Sequence, residues 1–104
     1  MAYPSKYKDA QVEILGEPST ARQLTAGSAS SNTALTTTVR RISIRASGAD
    51  IRFSIGTGTQ TANGNTSPFI ANGERLDFAV PESANIAVIR DGTVNGTLEL
   101  TELI

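Results

Sequence analysis

The chain has 104 residues, 38% of them hydrophobic and only 5% aromatic, with a formal net charge of −1 and no histidine, cysteine or tryptophan. That length suits one small domain with a core of Ile, Leu and Val, for which Phe53, Phe69 and Phe78 are the largest pieces available. The composition argues against disulfides, against Zn, Fe or Cu sites, against histidine-based catalysis and against the strong positive field of non-specific nucleic-acid binding.

In chain order, residues 1–10 are polar and aperiodic, with Pro4, Lys6, Lys8 and Asp9, and are expected to form an extended N-terminal arm. Residues 11–104 are expected to form the folded domain. No apolar run near the start suits a signal peptide and none reaches the length of a membrane span, so synthesis in the cytoplasm with no membrane partner is expected. Residues 11–15 alternate as Gln11, Val12, Glu13, Ile14, Leu15 and predict a strand ended by Gly16 and Pro18. A weaker strand is expected over 21–25, followed by a Ser- and Ala-rich loop over 26–32.

From Leu35 the apolar parity runs Leu35, Val39, then shifts by one to Ile42 and Ile44, which predicts a β-bulge near Arg40. Residues 47–50 suit a hairpin turn, with Gly48 free to take a positive φ, leading into alternating Ile51, Phe53 and Ile55. Residues 56–67 contain no large apolar side chain and are expected at the surface. Asn72-Gly73, between 68–71 and 76–80, is a two-residue hairpin signal, and strands over 85–90 and 97–103 complete the series. About eight short strands, thirteen threonines and no helical periodicity predict an all-β protein. The expected architecture is a single small β-sandwich of jelly-roll or Greek-key type.

Candidate chemistry is sparse. Asp50, Asp77, Asp91, Glu99 and Glu102 are scattered without the spacing of a calcium loop, and Gly56-Thr57-Gly58 has no following Lys-Ser or Lys-Thr. No catalytic residue and no cofactor is expected. Two segments suggest contacts instead. If 41–45 and 51–55 form one hairpin, Arg41, Arg45 and Arg52 project from its polar face with Arg40 beside them. Such a stripe is either a solubilising face or a dock for an acidic protein partner. Tyr3, Lys6, Tyr7 and Lys8 make the arm either a frayed end or a segment that orders across a neighbouring subunit.

Residues 46–56, 68–81 with their Phe69-Ile70-Ala71-Asn72-Gly73-Glu74 turn, 84–90, and the tail Thr97-Leu98-Glu99-Leu100-Thr101-Glu102-Leu103 resemble small virion structural proteins of tailed bacteriophages. These include the decoration or cement proteins encoded near the major capsid protein. The resemblance implies a non-enzymatic homo-oligomer, with trimers favoured, on the capsid exterior. Its expected partner is the major capsid protein, and a neck, tail or fibre piece or a receptor- or glycan-binding module are the alternatives. It transfers no active-site residues.

Overall fold

The computed structural model describes residues 17–104; the arm and the strand expected over 11–15 lie outside them. Eight strands follow in order: β1 (Pro18–Ala26), β2 (Ser31–Ala34), β3 (Arg41–Ser47), β4 (Ile51–Thr57), β5 (Phe69–Ile70), β6 (Arg75–Ala79), β7 (Ala84–Arg90) and β8 (Gly96–Leu103). They form two four-stranded antiparallel sheets, β1-β8-β3-β6 and β2-β7-β4-β5. The pairs β1·β8, β2·β7, β3·β6 and β4·β5 are nested, so the chain is one long hairpin rolled up on itself. That is the jelly-roll form of the sandwich.

Rolling changes what the turns do. Only the β4–β5 connection stays within one sheet; every other crosses between the two. The tight turn at 47–50 therefore does not make a hairpin, because β3 and β4 lie in opposite sheets. Asn72-Gly73 likewise carries the chain across the sandwich from β5 to β6. The left-handed backbone is nevertheless needed at both places, with φ of 92° at Gly48 and 87° at Gly73. Asn72 Oδ1 accepts from Gly48 N at 2.9 Å and Gly73 N donates to Ala46 O at 2.8 Å, so the two crossovers brace each other.

The parity shift near Arg40 is not a bulge. Residues 31–34, the first two of them expected as the end of a loop, form β2, and the chain from Leu35 to Arg40 is a connection between sheets with no strand of its own. Leu35 and Val39 are buried because they plug the end of the sandwich, not because they share a pleat. Parity resets at Arg41 because a new strand begins in the other sheet.

Alternation then assembles the core as a period-two pattern requires. Ile42, Ile44 and Ala46 from β3 and Leu98 and Leu100 from β8 face Ile51 and Phe53 from β4 and Ile86 and Val88 from β7; all are buried. Phe78 packs on this core with its ring tilted 51° to that of Phe53 and the two centroids 5.5 Å apart. Phe69, expected inside, is 42% exposed. It occupies the outward position of the two-residue β5 and lies 5.2 Å beneath the Arg52 guanidinium.

Candidate functional site

The two outer faces of the sandwich differ. Over the second sheet, residues 58–67 fold back as a cover. Gln60 N donates to Asn32 Oδ1 at 2.9 Å and Ala62 N to Ser30 Oγ at 2.8 Å, while Ser54 Oγ donates to Gln60 Oε1 at 2.7 Å. Beneath the cover, Ala87 holds an outward position on β7 yet has no exposed surface, and Ala62 is 3% exposed. Small side chains permit this close approach, which a bulkier loop would prevent. The return limb is shaped by Asn63, whose Oδ1 accepts from Asn65 N and Thr66 N at 2.8 and 3.1 Å.

Arg52 clasps this cover. Its Nε donates to Asp91 Oδ1 at 2.8 Å and its Nη1 to Ser67 O at 2.9 Å, with Phe69 stacked below. The residue therefore works as an internal clamp between the long loop and the β7–β8 turn. It also lies on the opposite side of the sandwich from Arg41 and Arg45, so the expected four-arginine stripe does not form. The cause is topological: the proposed hairpin that aligned them is a crossover. Arg40 sits at one end of the sandwich in a loose 3.9 Å contact with Glu82, both side chains nearly two-thirds exposed, which contributes little. Tyr3, Lys6, Tyr7 and Lys8 lie outside the described residues.

The outer face of β1-β8-β3-β6 carries no such cover among the described residues. Here Arg41 and Arg45 on β3 are joined by Arg75 on β6, a residue the sequence reading passed over. Arg45 stands directly opposite Arg75 in the ladder and opposite Glu99 on its other side. Directly opposed strand residues are about 5 Å apart at Cβ, where like charges repel. None of the three guanidiniums forms an ion pair among the described residues. Arg75 Nη1 leans inward to Ser43 Oγ at 2.8 Å, which buries that serine, and Glu99 is engaged by Gln23 Nε2 at 3.2 and 3.3 Å. The face thus carries three guanidiniums alongside the carboxylates of Glu99 and of Asp77, which stands opposite Ser43, and its guanidinium donors that make no ion pair suit it to gripping further carboxylates.

A third feature was hidden in the tail. Leu98, Leu100 and Glu102 share one parity, and Glu102 accordingly points into the sandwich with no exposed surface. Its Oε2 accepts from Arg22 Nε at 3.1 Å and Thr36 N at 2.9 Å, and its Oε1 from Thr36 Oγ1 at 2.7 Å. Burial pushes the carboxyl up, but the Thr36 bonds and Arg22 together outweigh it and hold Glu102 below the usual carboxylate range. This network ties β1, β8 and the β2–β3 connection at one end of the sandwich.

At the other end, the turns at 48–50, 72 and 91–94 surround an open cleft of about 330 Å³. Its two carboxylates are already committed to the fold, Asp50 Oδ1 to Asn72 N at 2.8 Å and Asp91 Oδ1 to Arg52. Among the described residues no three Asp or Glu side chains cluster as a metal site, and no helix is long and apolar enough to cross a membrane. The chain matches no family model, no curated protein and no solved structure with which it was compared.

Proposed function

We propose that this chain is a structural protein of a tailed-bacteriophage virion, decorating the capsid exterior and bridging subunits of the major capsid protein. The observation that carries the reading is the asymmetry of the sandwich. One outer face is covered by the chain's own loop, while the other has no such cover among the described residues and bears Arg41, Arg45 and Arg75, none of them in an ion pair there. A rigid jelly roll with one such charged sheet suits repetitive docking onto an acidic surface. The resemblance of 46–56, 68–81 and 97–103 to small virion proteins supplies the virion context; the fold alone does not, since jelly rolls serve many functions.

The test is location and copy number in purified particles, followed by rebinding of the isolated protein. Stoichiometry matching the capsid subunits, on the order of hundreds of copies, supports decoration. A ring-like number, on the order of ten, moves the protein to the neck or tail. Arg45→Glu combined with Arg75→Glu is expected to abolish rebinding while leaving the fold intact, and undiminished rebinding removes this sheet as the docking face.

A further inference from the structure

The flank of the sandwich where β4 and β6 lie is one strand short. β5 has only two residues and pairs only with Ile51 and Arg52 of β4. One more contact follows, Phe53 N to Pro68 O at 3.0 Å, before the chain lifts onto the outer face as the cover. From Ser54 to Thr57, the side of β4 turned away from β7 has no paired strand among the described residues. That is four residues, roughly 13 Å of strand without a strand partner on that side, with Gln60 Nε2 donating to Thr57 O at 3.4 Å at its end. Facing it across the sandwich is β6, the last strand of its own sheet. On the inward faces of these two strands Ile55, Leu76 and Phe78 are each only partly buried against the core. An unpaired ladder beside incompletely buried large apolar side chains is a template for one more strand.

We infer that this gap receives residues 11–15 of a second copy of the chain. The segment has the required chemistry: five residues, with Val12 and Ile14 on one face to meet Ile55, Leu76 and Phe78, and Gln11, Glu13 and Leu15 on the other. Reach excludes the same copy. Glu17 pairs with Ile104 on the β1 side of β8, and β1 is separated from β6 by three strand spacings, about 14 Å. Leu15 is two residues from Glu17, a span of at most about 7 Å. Residues 11–15 of one copy therefore cannot lie along its own β4, whereas a neighbour's can. Exchange of this kind closes as a reciprocal dimer or a small ring. The inference does not depend on the virion reading.

The experiment compares full-length protein with the double variant Val12→Asp, Ile14→Asp by light scattering across a concentration series and by hydrogen exchange. Wild type is expected to self-associate, with the outward amides of 54–57 protected in the associated form. In the double variant, association is expected to weaken roughly a hundredfold. Those amides are expected to exchange at least about tenfold faster, with an unchanged circular dichroism spectrum. Excess synthetic peptide of residues 9–17 is expected to dissociate the wild type. A wild type that stays monomeric at its highest soluble concentration overturns the inference. So does a double variant that still assembles, or protection of 54–57 that is independent of concentration.

Discussion

Replacing Glu102 with Leu keeps most of the volume but removes every acceptor in the network at the end of β8. Thr36 N loses its partner at 2.9 Å, Thr36 Oγ1 at 2.7 Å and Arg22 Nε at 3.1 Å. An amide left without a partner costs about 1–3 kcal/mol, and breaking a fully buried ion pair costs about 3–5 kcal/mol. Here Glu102 is fully buried but Arg22 is 29% exposed and can turn to water, so the lower end applies. The expected loss is about 3 kcal/mol, or a fall in Tm of about 12–24 °C for a domain of this size. Glu102→Gln retains one acceptor oxygen and can give a proton to Thr36 Oγ1, so its loss is about 1 kcal/mol. Because Arg22 can turn to water, Arg22→Leu added to Glu102→Leu is expected to recover only a minor part of the deficit, the rest being the unpartnered Thr36 N and Oγ1. Urea unfolding followed by circular dichroism measures all three. A Glu102→Leu variant within 0.5 kcal/mol of wild type would show that the network does not hold this end of the sandwich. The sign with pH follows from the lowered carboxyl. Its stabilisation is fully present above the ordinary value of 4.5 and disappears as pH falls through the lower native value. The difference between wild type and Glu102→Gln should therefore shrink below that point.

Arg52→Ala should free the long loop from Asp91, Ser67 O and the Phe69 ring, costing about 1–2 kcal/mol and making residues 58–67 the first site cut in limited proteolysis. Arg45→Thr is expected to leave stability unchanged or raise it by a few tenths of a kcal/mol, because it relieves the repulsion with Arg75; thermal unfolding at low and high salt reads this directly. Ser83 adopts a φ of 57° without being glycine, so Ser83→Gly should stabilise the native turn by up to about 1 kcal/mol less the entropy added to the unfolded chain. Gly73→Ala should cost about 1 kcal/mol from backbone strain alone, since no atom lies within 4 Å of the position its Cβ takes.

Period-two alternation was enough to determine an all-β sandwich and most of its core, because which side of a pleat a residue occupies is a local property. Ile42, Ile44, Ile51, Phe53, Leu98 and Leu100 are inside for that reason. The same parity in the tail already places Glu102 inside, provided its charge is not taken as proof of exposure. Turn chemistry was legible at Gly48 and Gly73 as a demand for positive φ, but the same backbone serves a hairpin and a crossover. Only the rolled topology decided that β3 and β4 part company, which separates Arg52 from Arg45 and brings Arg75 in its place. It also decided that residues 58–67 lie over one sheet and not the other, and that β5 stops short beside β4. These outcomes depend on pairings between residues far apart in the chain, such as Ile44 with Leu100 and Ser54 with Ala87. A local pattern sets which face a side chain takes, whereas the neighbour across that face is chosen by the packing of the whole chain.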